Sequence, residues 1–307
     1  MARFWFSKGL RGMIAKRIQL DLLRQGFFVG SADKFADGVF GGDTDAALRK
    51  LQASRGLSTT GAVDEFTWQQ LTTDPIPSLF ERCLSVTADF EGHGFGLLQG
   101  NFDGAGMTWG VIGFTLSNGE IQSLLHEVEI SAPGTLDRVL GKLANTWRAK
   151  MELSRPDQVA WADSISSGKG KAQVSPDWKS AFARLGEEPI VKRLQLQRAY
   201  DAYFVPAMVS AQKIKLVSEL GVALAFDCHV QNGKSRVISL AELTPVAGTI
   251  SEVEMRMRWA QRIADLSAPE WRIDVLGRKT ILAKGSAIFR GRNYVLSNWG
   301  LTEAIAA

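Results

Sequence analysis

Pro75 and Pro77 stand two positions apart in the stretch Thr72-Thr73-Asp74-Pro75-Ile76-Pro77-Ser78. Each removes a backbone donor and fixes φ, so neither a helix nor a central strand runs through it. The 307-residue chain therefore reads as residues 1–73, a linker over 74–78, and a larger domain over 79–307. No later stretch breaks the chain as strongly. Ser166-Ser167-Gly168-Lys169-Gly170-Lys171 reads as a flexible surface loop inside the larger domain.

Composition narrows the class of molecule. With 45% hydrophobic and 22% charged residues, the chain has what a packed core needs and is neither collagen-like nor a disordered polyelectrolyte. Apolar runs stay shorter than a membrane helix requires, so no membrane span is expected. Cys83 and Cys228 are far apart and form no CxxC pair, which argues against a disulfide framework and a thiolate zinc site. No metal and no cofactor are expected. A net charge of +4 suits an anionic polymer partner without demanding nucleic acid, and a monomer is expected. At the N-terminus, Lys8, Arg11, Lys16 and Arg17 interrupt any apolar segment before a cleavable signal can form.

In the first unit Leu10, Ile14, Ile18 and Leu22 recur at helical spacing, and Gly26 supplies a stop. Asp43-Thr44-Asp45 opens a second helix with Ala47, Leu48 and Leu51 on its apolar side. Gly61-Ala62-Val63-Asp64 turns into a third, carrying Trp68 and Leu71, with Asp64 or Glu65 placed for its N-terminal dipole. These residues predict three short helices around one small core. The same stretch resembles the three-helix peptidoglycan-binding domain found on many cell-wall hydrolases. The resemblance rests on Asp37-Gly38-Val39-Phe40-Gly41, Thr44, Ala47, Leu51-Gln52, Gly56-Leu57, Gly61-Ala62-Val63-Asp64, Thr67-Trp68 and Leu71. It implies peptidoglycan as a partner.

The larger domain opens with an apolar helix over 79–87, followed by Ala88-Asp89-Phe90-Glu91-Gly92-His93-Gly94-Phe95-Gly96. Alternate glycines beside one carboxylate mark a tightly turning backbone. Asp103 follows in Asn101-Phe102-Asp103-Gly104-Ala105-Gly106-Met107-Thr108-Trp109-Gly110, a pattern that predicts a short β-hairpin or lobe. Two carboxylates flanking a Gly-rich turn are the minimum for glycoside cleavage: one donates a proton to the leaving oxygen and the other, ionised, activates water or attacks. Asp-Gly is also the commonest turn dipeptide. From spacing alone, catalysis and a solvated turn both stay open.

Residues 80–300 resemble the chitosanases of glycoside hydrolase family 46, in the lysozyme-like superfamily. Residues 102–114 follow, without a gap, that family's Gly-Asp-Gly-Arg-Gly-Tyr-Thr-x-Gly-x-x-Gly-Phe pattern. Glu91 falls where the family has its general acid. Asp177-Trp178-Lys179, Phe204-Val205-Pro206-Ala207-Met208-Val209 with Gln212, Phe226-Asp227 leading to Asn232-Gly233, and Arg272-Ile273-Asp274 with Arg278 keep the family's order. The resemblance implies Glu91 as general acid, Asp103 as general base, Thr108 as a residue holding the attacking water, and Glu120 as a substrate-binding carboxylate. It also implies a buried network of Asp227, Arg262 and Arg272 behind the cleft. Departures from the family that bear on the site are the short span between Glu91 and Asp103, Ala105 in place of the pattern's Arg, and Met107 in place of its Tyr. A mildly basic chain also fits peptidoglycan, which carries carboxylates, better than polycationic chitosan.

Other groups have simpler readings. The tryptophans, Trp109, Trp161, Trp178, Trp259, Trp271 and Trp299, are expected in the core. Trp109 and His93 are also carried as substrate-binding candidates because they adjoin Thr108 and Glu91. His126 reads as a surface residue, and Arg256, Arg258 and Arg262 read as a solvated basic helix face.

The expected architecture is α+β and mainly helical: a small three-helix bundle before a lysozyme-like, two-lobed catalytic domain whose small β-lobe carries Asp103. The expected function is a peptidoglycan-cleaving muramidase of endolysin type, working by inversion and held in the cytoplasm of an infected bacterial host until lysis. The alternatives are a chitosanase, a lytic transglycosylase and a non-catalytic wall-binding protein.

Overall fold

The computed structural model describes residues 3–92, 94–233 and 250–306. The chain forms two compact units, one built from Met1–Phe90 with Ala202–Ala307 and the other from Glu91–Asp201.

The first unit begins with four helices: α1 (Met13–Arg24), α2 (Ala32–Phe35), α3 (Gly42–Ser54) and α4 (Glu65–Leu71). Ile14, Ile18 and Leu22, one turn apart on α1, are at most 3% exposed, as are Leu48, Leu51 and Trp68 on α3 and α4, the helices α1 lies against. Asp64 caps α4 by accepting the Thr67 N–H at 2.8 Å. Three of these helices are the ones the periodicity predicts. The four-residue α2 is too short to show a period.

Across the two prolines, Ser78 and Glu81 form a reciprocal cap that starts α5 (Leu79–Glu91): the Ser78 N–H donates to Glu81 Oε2 at 2.8 Å and the Glu81 N–H to Ser78 Oγ at 3.3 Å. The helix runs one turn beyond the predicted end at residue 87, so Glu91 is its last residue.

The unit Glu91–Asp201 holds a three-stranded antiparallel sheet of β1 (Leu98–Gln99), β2 (Thr108–Trp109) and β3 (Phe114–Thr115), in which Gln99 pairs with Thr108 and Thr108 with Thr115. Helices α6 (Glu120–Ser131), α7 (Thr135–Leu140), α8 (Leu143–Met151) and α9 (Arg155–Ser164) follow. A hairpin of β4 (Ser166–Ser167) and β5 (Gln173–Val174) leads to α10 (Pro176–Leu185) and α11 (Pro189–Ala199). An aromatic cluster forms the core: Trp161 and Trp178 meet edge to face at 5.3 Å, and Trp147 reaches Phe182 at 5.6 Å.

The first unit is completed by α12 (Val205–Lys213), α13 (Glu219–Asn232), α14 (Glu252–Asp265), α15 (Arg272–Lys284) and a hairpin of β6 (Ser286–Phe289) and β7 (Arg292–Val295). Residues 219–229 of α13 are all buried, so this helix is surrounded rather than one-faced. The N-terminal segment is strapped to these helices. Arg3 donates to both Glu219 oxygens, at 2.7 and 2.6 Å, and Arg82 donates to Glu219 Oε1 at 2.9 Å. Both guanidinium groups lie over the Trp5 ring.

Two readings of this region are corrected. Arg256 is fully buried, not part of a solvated face: it donates to Ser218 Oγ at 2.6 Å and to Glu303 Oε2 at 2.9 Å. Trp271 is 61% exposed instead of lying in the core, because it sits in the short turn that begins α15, outside the helix packing.

Candidate active site

Glu91 is half-buried at the C-terminus of α5, and Gly92, with φ of 67°, ends the helix directly after it. Asp103 is exposed in the loop of residues 100–107 that joins β1 to β2. Its Oδ1 accepts the Ala105 N–H at 3.0 Å, a turn that holds the carboxylate at the loop tip. Gly106 has φ of 81°, and a Cβ there would come within 3.1 Å of Leu116 and 3.4 Å of Ala162. Only glycine lets the backbone pass this close with that φ.

The loop is braced from two sides. Asn101 accepts the Gly106 N–H at 2.8 Å and donates to Asp163 Oδ1 at 2.8 Å. Its own N–H donates to Ser166 Oγ at 3.0 Å, while the Gly100 N–H reaches the Ala172 carbonyl at 3.1 Å. Residues 166–171, read from sequence as a surface loop, are exposed over 167–171 and supply the first strand and the turn of the hairpin that buttresses the Asp103 loop. Lys171 pairs with Asp163 from the same hairpin and holds that carboxyl below the ordinary carboxylate value, with the Asn101 amide adding to the effect.

Gln195 on α11 braces the segments on either side. It is fully buried, accepts the Val111 N–H at 2.9 Å and donates to the Phe95 carbonyl at 2.9 Å. Gln195, Asn101 and Asp163 were not singled out in the sequence. Their signal is only that a polar side chain must be satisfied where the chain turns, and that is not readable without the partner.

Thr108 on β2 is 6% exposed, and its buried hydroxyl has no hydrogen-bond partner among the described residues. Such a group is a natural seat for one water. Glu120 opens α6 with its Oε2 accepting from Thr115 N–H at 2.9 Å and Thr115 Oγ1 at 3.0 Å, so the carboxylate ties β3 to the helix start. Trp109 lies in the core, as expected of the tryptophans, and its candidacy as a substrate contact falls with that. It is fully buried and packs edge to face on Phe182 at 5.1 Å, because successive residues of a strand point to opposite faces and this one points into the aromatic core. His93 lies outside the described residues.

The network around Asp227 also differs from expectation. Asp227 on α13 is fully buried, as the resemblance implies, but its partners are Arg278, Lys279 and Thr87. Arg262 is exposed on α14, and Arg272 is exposed at the start of α15, where among the described residues its side chain donates only to the Asp265 carbonyl at 3.4 Å. Arg272 and Arg278 share α15, but six residues put them about 9 Å apart along its axis, and it is the later turn that brings Arg278 and Lys279 to Asp227 on α13. Burial pushes the Asp227 carboxyl up, and the two cations more than reverse this, holding it below the ordinary carboxylate value.

The family described as peptidoglycan binding domain matches residues 13–71, and glycosyl hydrolase family 46 matches residues 87–254, more than half of the chain. No curated protein matches. Among solved structures, one described as a chitosanase complex is 18% identical, with a TM-score of 0.48, over 69% of this chain and 94% of its own. A complex of a Gynuella sunshinyii family 46 chitosanase with chitotetraose is 15% identical, with a TM-score of 0.49, over 72% of this chain and 99% of its own. The chain belongs to glycosyl hydrolase family 46 and is a glycoside hydrolase that also carries a peptidoglycan-binding domain.

Proposed function

We propose that this chain cleaves the β-1,4 glycosidic bonds of peptidoglycan glycan strands, as a muramidase of endolysin type that stays in the cytoplasm of an infected bacterial host until lysis. The carrying observation is the union in one chain of a peptidoglycan-binding match at residues 13–71 and a glycoside hydrolase match at residues 87–254. A wall-directed domain concentrates the enzyme on its polymer. We divide the chain accordingly into a wall-binding domain over 1–73, a linker over 74–78 and a hydrolase domain over 79–307.

The mechanism proposed is a single displacement. Glu91 gives its carboxyl proton to the glycosidic oxygen as the bond from that oxygen to the anomeric carbon breaks. A water held at the Thr108 hydroxyl attacks the anomeric carbon from the opposite face, and the Asp103 carboxylate takes its proton. Inversion by this route calls for carboxyl groups about 6.5–9.5 Å apart, against about 5 Å for a retaining pair. The braced loop around Asp103 supports the base, and the unpartnered Thr108 hydroxyl supports the water site.

Mass spectrometry of the muropeptides released from purified walls tests the reading. Reducing N-acetylmuramic acid ends are expected, and Glu91→Gln should lower turnover by about 10²–10⁴-fold while wall binding persists. Anhydro sugars would identify a lytic transglycosylase, and no products would identify a wall-binding protein without turnover. A second reading, action on glucosamine polymers, is favoured by the family match itself. Reducing ends released from chitosan but not from walls would establish it in place of the first.

A further inference from the structure

A cavity of about 190 Å³ opens beside the start of α3 in the N-terminal helices. Its floor is built, not incidental. Gln19, 1% exposed, reaches Asp37 Oδ1 at 2.9 Å, the Val39 carbonyl at 3.0 Å and Thr44 Oγ1 at 3.1 Å from its amide nitrogen. Its amide oxygen accepts the Gly38 N–H at 2.8 Å. One buried amide thus pins the 37–39 turn between α1 and α3 and preforms the depression.

The lining carries both signs of charge. Lys34, Asp37 and Asp43 all face the cavity. Among the described residues, the Lys34 and Asp43 side chains have neither a hydrogen bond nor an ion pair, with each other or with any other group. Asp37 commits Oδ1 to Gln19 and to the Val39 N–H, and its other oxygen makes no bond among the described residues. Opposite charges that share a cavity without pairing leave room between them for a ligand that carries both. Gly42 keeps the mouth open: a Cβ there would meet nothing within 4 Å.

We propose that this cavity takes the zwitterionic end of an uncrosslinked wall peptide, an ammonium and a carboxylate on one carbon, with the ammonium toward Asp37 and Asp43 and the carboxylate toward Lys34. The inference rests on the wall-binding reading above and names what that domain grips. Diaminopimelate stems carry such an end. Lysine stems offer an ammonium alone, and cross-linking acylates the ammonium and removes one half of the match. The domain would therefore hold loosely cross-linked wall of the diaminopimelate type.

The test is titration calorimetry of the full chain with three stem tripeptides: one ending in diaminopimelate, one in lysine, and one in diaminopimelate acylated on its distal amine. The first is expected to bind at least tenfold more tightly than the others. Lys34→Gln and Asp43→Asn should each weaken it about tenfold, or about 1.4 kcal/mol. Gly42→Leu should abolish binding without changing the melting midpoint, since the site has room for the side chain. Equal binding of the three stems, or variants that bind like the parent, would overturn the proposal. Co-sedimentation with purified walls separates the two levels. A parent and variants that sediment alike, with stems indistinguishable, defeat the cavity assignment alone. A parent that neither sediments nor binds any stem defeats the wall-binding reading as well.

Discussion

Asn101 donates from its side-chain amide to Asp163 Oδ1 at 2.8 Å, which ties the loop carrying Asp103 to the end of α9. The same side chain accepts from the Gly106 N–H, so one residue fixes both the base of the loop and its return. In the mechanism proposed above Asp103 is the general base; such a group must be aimed at its water, and a displacement of about 1 Å can cost on the order of 10²-fold in rate. Asn101→Ala is therefore expected to lower kcat on purified walls about a hundredfold, with KM little changed. Asn101→Asp keeps the acceptor for Gly106 but sets a carboxylate against Asp163, and should recover little. Steady-state rates beside melting midpoints check this. A rate loss matched by a collapse in stability would mean that Asn101 only holds the fold.

Asp227 provides a prediction with a definite sign in pH. Its carboxyl is held below the ordinary value by Arg278 and Lys279 against the opposing pull of burial. A depressed folded value means that the group stabilises the fold fully above its unfolded value of about 3.9, and that this contribution drains away as pH falls through the folded value. Asp227→Asn leaves two buried cations uncompensated and should cost about 3–5 kcal/mol at pH 7. At pH 3 the gap between parent and variant should narrow, since below about 3.9 the unfolded parent takes up a proton at this carboxyl that the folded parent resists. Urea unfolding at the two pH values reads both numbers. A gap that is constant or wider at pH 3 would contradict the assignment.

The fold was largely legible because its signals are local. Helical spacing announces α1, α3 and α4, the paired prolines announce the break before α5, and the Gly-rich block announces the sheet around Asp103. What escaped depends on partners distant in sequence. The family resemblance implies Asp227 as a buried acid, yet Arg262, Arg272 and Arg278 look alike in sequence, and only the packing of α15 on α13 selects Arg278 with Lys279. Arg256 and Arg262 share α14, but at about 100° per residue six positions carry them to well-separated faces, one buried and one exposed. Of the two readings Trp109 invites, core and substrate contact, the strand decides for the core. Thr108 and Trp109 are adjacent, so the alternation of a strand sends only one of them toward any given face.

The two cysteines should be silent in the native protein. Cys83 and Cys228 are fully buried, and burial pushes the Cys83 thiol up and the Cys228 thiol up to about 12. Only the thiolate reacts, and neither group forms it appreciably at pH 8. A disulfide reagent such as DTNB is expected to label neither cysteine in the folded chain at pH 8 and both in guanidinium. Rapid native labelling of either would show that the helices around it open far more readily than this packing allows.

The strap at the N-terminus separates two arginines that make the same contact at different depths. Arg3 and Arg82 both donate to Glu219, but the Arg3 side chain is 34% exposed and the Arg82 side chain 6%. Water screens the first pair and leaves little net stabilisation, about 0–1 kcal/mol. Removing the second breaks a desolvated pair, which typically costs about 3–5 kcal/mol. Arg82→Leu should therefore unfold at distinctly lower urea than Arg3→Leu, even though both delete one guanidinium from one carboxylate. Thermal and urea unfolding of the two variants and the parent decide the matter. Equal losses would mean that Glu219 is far better hydrated than its surroundings indicate, and a larger loss for Arg3→Leu would make the N-terminal strap, not the α5–α13 pair, the main anchor of this unit.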